Sequence, residues 1–219
     1  MKPFVVDPEV MACIRPMRAV DTESVAQLHH AAMGSSLWAT LGLGFLNAVY
    51  RVLIDDEAFL GFVYEEGGHI GGFIAGSQDT DGMMSRSFRR AGLGLGFASL
   101  PASLRPATLL KLLQTARYSD TSGGAHMAES LFCSFEPELR GRRISGHINK
   151  VLFDELLSRG HGRVKITTEV DNAGANRQLT SWGFIDAARF DFYGKPMVRY
   201  ELDLEISERV EPVSRHPAV

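Results

Sequence analysis

Two stretches of this chain hold the side chains best placed by type and spacing to do chemistry. In MAESLFCSF (127–135) the acid Glu129 leads an apolar run, with His126 just before it. A carboxylate beside an apolar strand should have a raised pKa, which suits a general base acting directly or through water. His126 is a second candidate base, because imidazole titrates near neutral pH. The plain alternative for each is a strand-end or loop residue facing solvent. The second stretch, ELRGRRISGHINK (138–150), sets Arg140, Gly141, Arg142, Arg143, Ile144, Ser145 and Gly146 ahead of a helical pattern. Backbone N–H groups in such a turn, with the positive end of the helix behind them, can hold phosphate. The same arginines also read as a solvated surface.

Other constellations carry less. His29 and His30 are adjacent on a helical pattern and cannot share a face. His147 and His161 stand apart, and neither histidine nor cysteine spacing suggests zinc, so no metal is expected. GLGLG (92–96) lacks the G-x-G-x-x-G spacing of a dinucleotide site. Trp38, Tyr50 and Tyr118, with Phe88 and Phe97, could line an apolar acceptor pocket, with core packing as the equal alternative.

The elements that must position these residues follow from periodicity. CIRPM (13–17) reads as a strand, and Asp21 can cap a helix bearing Val25, Leu28 and Ala32 on one face. A second helix spans roughly 44–55. AFLGFVYEE and GGHIGGFIAGSQD form a hairpin around Gly67-Gly68. Residues 80–126 are broken by glycine and proline and read as a partly helical insertion. A strand at 127–135 resumes the order, followed by the arginine turn and a helix with Ile144, Ile148, Val151, Leu152 and Leu156 on one face. RVKITTEV (163–170), a short helix to Trp182, and MVRYELDL (197–204) complete a single domain over 1–204. The tail 205–219, rich in charge and proline, is expected to be disordered.

Strand, Arg/Gly turn, amphipathic helix, strand and VDNAGANRQLTSWGF together resemble the GCN5-related N-acetyltransferase (GNAT) family. The resemblance covers the order of elements over most of 13–204. It implies an α/β fold with a mixed, splayed central sheet flanked by helices, and an acyl-CoA pantetheine arm lying in the splay beside Cys133, Ser134 and Phe135. It implies an oxyanion donor from the strand backbone near Phe135, and Glu129 as base, because ESLFCSF resembles EIVFCAV of histone-acetylating members. Asn172 would bond the pantetheine amides or cap the following helix. The family's loop, Arg or Gln, two residues, Gly, one residue, Gly or Ala, falls on Arg140, Arg143 and Ser145. Arg143 therefore stands where glycine belongs. It could turn outward and leave the backbone nest intact, or fill the diphosphate site and favour phosphopantetheine on an acyl-carrier protein. In the second case Arg140, Arg142 and Arg143, with Arg86, Arg89 and Arg90, would form a basic dock for that acidic partner. Leu179 falls where the family has the tyrosine that protonates the leaving thiolate, and leucine cannot donate a proton.

The bulk numbers agree with such an enzyme. The chain has 219 residues, 45% of them hydrophobic, enough for one substantial core. A net charge of -3 and a pI near 6.2 give no global attraction to nucleic acid. Two cysteines suggest a reducing compartment without a disulfide framework. No basic segment followed by a long apolar run is seen, so a cytoplasmic protein without a membrane span is expected. The resulting expectation is N-acyl transfer from acetyl-CoA or another acyl-CoA to a small-molecule amine. The alternatives are a carrier-protein donor, less so an aminoacyl-tRNA, and a catalytically silent acyl-CoA-binding module. The apolar insertion could cover a pocket or dock a second subunit as a homodimer.

Overall fold

The computed structural model describes residues 4–33, 37–87, 89–90, 127–192 and 194–207. The chain begins with helix α1 (Pro8–Ala12), strand β1 (Ile14–Pro16) and helices α2 (Thr22–Ala32), α3 (Leu37–Thr40) and α4 (Leu43–Ile54). Strands β2 (Phe59–Glu66) and β3 (His69–Ser77) follow, then a helical stretch at 80–87. The second half contains β4 (Ala128–Phe135), α5 (Ile144–Ser158), β5 (Arg163–Glu169), α6 (Ala173–Trp182), β6 (Ile185–Phe192) and β7 (Lys195–Asp203). Among the described residues these strands form one seven-stranded sheet in the order β1-β2-β3-β4-β5-β7-β6. Every neighbouring pair is antiparallel except β4–β5. This is the mixed sheet flanked by helices that the sequence implied.

Each face of the sheet has its own core. On one side α2 and α4 set Val25, Leu28, Phe45, Leu46, Val49 and Leu53 against Val63, Phe73 and Ala75. On the other, α5 sets Ile148, Leu152, Phe153 and Leu156 against Phe62, Ile74, Ala128 and Val164. The helical spacing of these apolar residues makes each helix one-sided, and the two-residue period of the strands divides their side chains between the layers. The hairpin turn falls on Gly67 and Gly68, with φ of 61° and 82°. Two left-handed residues match the twist of the flanking strands, which explains the glycine pair.

Asp21 corrects one expectation. It stands at the N-cap position of α2, yet its side chain makes no capping bond. Its carboxylate instead accepts from Arg15 Nη1 and Nη2 (2.6 and 2.9 Å) and from the Arg18 N–H (2.7 Å). A buried acid takes the charged partner in reach over a backbone dipole. Of the expected insertion, 80–87 is helical, while 91–126 lies outside the described residues, as do Phe88 and the tail beyond Ser207. Among the described residues no helix is long and apolar enough to cross a membrane.

Candidate active site

The site originates in a short ladder. β4 and β5 pair in parallel only at Ala128↔Val164, Glu129↔Lys165 and Ser130↔Ile166, after which they separate. The register of β4 against β3 also slips between Ala75 and Gly76, where Ala75 meets Phe132 and Gly76 meets Ser130. Leu131 is thus an extra residue, a β-bulge that bends the strand. Glu136 donates its N–H to Gly71 O (2.8 Å). Antiparallel ladders bond alternate residues, so Phe132 and Ser134 also face β3, and Cys133 and Phe135 turn their N–H and C=O groups to the open edge.

Between the separated strands lies a cleft of about 560 Å³, within the range of small-molecule sites. Cys133, Ser134 and Phe135 line one wall, and Arg140, Gly141, Arg143, Ile144 and Ser145 close one end. Asn172 and Leu179 line the α6 side. The structure therefore brings together most of the residues expected around a pantetheine thioester. Asn172 Oδ1 also accepts the Ala175 N–H (3.2 Å), so the residue caps α6 while it borders the cleft.

The arginine turn places two left-handed residues just before α5. Gly141 has φ 82° and Arg143 has φ 59° and ψ 14°, both left-handed. For a non-glycine residue that conformation costs about 1–2 kcal/mol. Arg143, where the resemblance expects glycine, thus adopts a conformation that glycine takes without cost, and α5 begins immediately after it. The Gly146 N–H is bonded to Arg143 O (3.0 Å), whereas the Ile144 and Ser145 N–H groups, at the helix start, have no intrahelical partner. The Arg143 guanidinium lies over the Phe4 ring, 5.5 Å from its centre.

Two loop residues expected at the donor are elsewhere. Arg142 donates to Glu66 (2.7 and 2.8 Å) and to the Tyr64 hydroxyl (3.0 Å), so it joins β2 rather than the cleft. Its hydrogen bond holds the Glu66 carboxyl below its usual range. Gly146 also does not border the cleft: a Cβ there would come within 2.8 Å of the Phe4 ring. Two arginines of the expected basic dock lie apart. Arg86 chelates Asp56 (2.8 and 2.9 Å), just before β2, while Arg142 binds at the other end of that strand. A strand of this length separates them by roughly 20 Å, and carboxylates neutralise both.

Glu129 is 2% exposed. Its carboxylate accepts from Thr80 Oγ1 (2.9 Å) and lies 3.7 Å from Lys165 Nζ, itself buried at 5% exposure. Both partners favour the ionised carboxylate. Its neighbour Ser130 is the first β4 residue to border the cleft. The other candidate base, His126, and the pocket candidate Tyr118 lie outside the described residues. Trp38 is half-buried, with its ring 5.0 Å from that of Phe132. Tyr50 is a correction: it is fully buried, and its hydroxyl lies 2.7 Å from His29 Nδ1, so it cannot contact an acceptor from the surface.

Several residues were missed by sequence reasoning. Lys165 looked like the solvent-facing position of an alternating strand. Asn149 borders the cleft and donates to Ser145 O (2.7 Å); its position four after Ser145, on the same helix face, was a usable signal. Burial pushes the Cys133 thiol up to about 12, against an opposing Asn149 hydrogen bond. The thiol stays protonated at neutral pH and makes a poor nucleophile. His29, buried against Phe132 and Trp38, is depressed to about 4 by burial and by neighbouring His30.

No family model and no curated protein sequence matches the chain. Solved structures do match. A ribosomal-protein-alanine N-acetyltransferase from Brucella melitensis superposes with a TM-score of 0.57 at 16% identity, over 87% of this chain and 98% of that one. The yncA protein of Salmonella typhimurium, solved with its cofactor acetyl-CoA, gives 0.53 at 16% identity, over 92% and 97%. A spermidine/spermine N-acetyltransferase from Vibrio cholerae gives 0.53 at 12% identity, over 89% and 94%. The chain has the fold of the GCN5-related N-acetyltransferases.

Proposed function

We propose that this protein is an N-acyltransferase that moves an acyl group, acetyl first, from acyl-CoA to an amine by direct attack. The observation that carries this reading is the cleft itself, opened where β4 and β5 part after Ser130 and closed by the left-handed turn at the start of α5. The pantetheine arm would lie along the open edge of β4 and exchange amide hydrogen bonds with Cys133 and Phe135, with Asn172 and Asn149 alongside. The diphosphate would rest on the N–H groups of Ile144 and Ser145 and the positive end of α5. Arg140 adds a charge at the same end.

In the reaction, the amine nitrogen bonds to the thioester carbon and the carbonyl oxygen becomes an oxyanion. An N–H of the open β4 edge stabilises it. The amine proton passes through water to the carboxylate of Glu129, which Lys165 and Thr80 hold in place to receive it. Collapse breaks the C–S bond and releases CoA thiolate, which takes a proton from solvent, since Leu179 can supply none. The protonated Cys133 thiol argues against an acyl-cysteine intermediate. The likeness to enzymes acting on protein and polyamine amines supports an amine acceptor without choosing its size. The neutralised arginines weigh against a carrier-protein donor. The test is incubation with acetyl-CoA and a panel of polyamines, amino acids and peptide N-termini, following free thiol. Acceptor-dependent thiol release is expected; none with any acyl-CoA, despite tight binding of CoA, would leave a binding module.

A further inference from the structure

The N-terminal segment ahead of β1 is tied to the donor turn by contacts that the reaction does not require. The Phe4 ring meets the Arg143 guanidinium at 5.5 Å, stacks on Trp182 (5.1 Å, 25° between planes) and meets His147 edge-on (4.9 Å). His147, 1% exposed, bridges the two: its Nδ1 lies 2.9 Å from Arg143 O, and its Nε2 accepts the Asp7 N–H at 2.8 Å. With Nε2 accepting, Nδ1 carries the proton and donates to the Arg143 carbonyl. Gly146, lacking a Cβ, leaves the space that the ring fills. These contacts converge on the one non-glycine residue in left-handed conformation among the described residues.

We propose that Phe4 is a positioning residue for the donor: it holds Arg143 in the left-handed conformation that a glycine would adopt unaided, and so keeps the turn shaped for a diphosphate. The inference rests on the acyl-CoA reading above. It explains how an arginine can occupy the glycine position of a phosphate turn. The ring engages the guanidinium, and His147 anchors the carbonyl.

The test compares calorimetric binding of CoA with that of pantetheine, which lacks the diphosphate. Phe4→Ala should weaken CoA about tenfold, as expected when a strained backbone loses a cation–π and packing partner, and leave pantetheine unchanged. Gly146→Ala, which pushes the ring away without removing it, should act in the same direction. Adding Arg143→Gly to Phe4→Ala should restore CoA affinity, because glycine needs no support at positive φ. Melting curves establish that each variant is folded. Wild-type CoA affinity in both single variants overturns the inference and leaves the donor reading standing. So does an equal loss for CoA and pantetheine, or a loss that Arg143→Gly does not rescue, since either marks a merely structural contact. Failure of the wild type to bind CoA removes the donor reading, and this inference with it.

Discussion

The two ends of β4 divide the work of one strand. At Glu129 and Ser130 it is paired on both edges, with β3 and with β5; from Phe132 to Phe135 it is paired only with β3. The closed end is flanked by a strand on each side and buries a charged pair, Glu129 and Lys165, across its parallel ladder. The open end buries no charge and leaves backbone groups facing a cleft. Ionised side chains can be withdrawn from water only where a rigid frame supplies partners. Backbone donors can meet a ligand only where the frame lets go. Where the parallel ladder ends therefore decides which residues can hold charge and which can bind.

Four substitutions and one titration test this division, from the largest expected effect downward. Lys165→Met removes a cation from a buried carboxylate and should lower stability by about 3 kcal/mol, measured by urea denaturation. If the loss is below about 1 kcal/mol, the closed end is no rigid charge frame. The His29 titration comes next. Its imidazole is at about 4 when folded, against about 6.5 in an unfolded chain. The unfolded state therefore binds the extra proton between these values, and stability present above pH 6.5 is lost as pH falls to 4. The loss should approach about 3 kcal/mol and shrink in His29→Gln; an unchanged melting-temperature profile would disprove a neutral, enclosed His29.

Glu129→Gln should lower turnover about 100-fold at preserved CoA affinity, the usual loss for a general base, with a lowered melting temperature because Lys165 loses its buried partner; full activity of the folded variant in stopped assays would remove Glu129 from the chemistry. At the open end, Ser134→Ala deletes the hydroxyl that donates to Leu28 O (3.2 Å) and should cost about 1 kcal/mol. An effect as large as that of Lys165→Met would erase the distinction between the two ends. Smallest is Arg142→Ala. It breaks an exposed pair with Glu66, which solvent screens, and should leave the melting temperature unchanged and CoA affinity within about twofold of wild type. A tenfold loss of CoA would return Arg142 to the donor site.

Local periodicity made much of this legible. The Gly67-Gly68 hairpin, the apolar face of α5 and the strand ESLFCSF each announce themselves within a few residues, because side-chain period and turn chemistry are short-range properties. The position of the turn before α5 could be read in the same way. What could not be read was the partnering of charges. Arg142 finds Glu66, and Arg86 finds Asp56, across chain separations that no window spans. Lys165 obeys the alternation of a half-buried strand and is nonetheless enclosed, because a neighbour on β4 offers it a carboxylate. Phe4 carried no signal at all, since its role depends on the missing side chain of Gly146 and the backbone of Arg143.

The extra residue Leu131 gives β4 a parity change. Ala128 packs with the α5 layer, which turns Glu129 to the α2 side, and beyond the bulge Phe132 packs on that same α2 side. In an uninterrupted strand, residues three apart point to opposite faces. The bulge thus sets the carboxylate on the same side as the aromatic cluster of Phe132, Trp38 and His29. Deleting Leu131 would leave both Glu129 and Phe132 in the strand, yet separate the acid from that cluster by the thickness of the sheet.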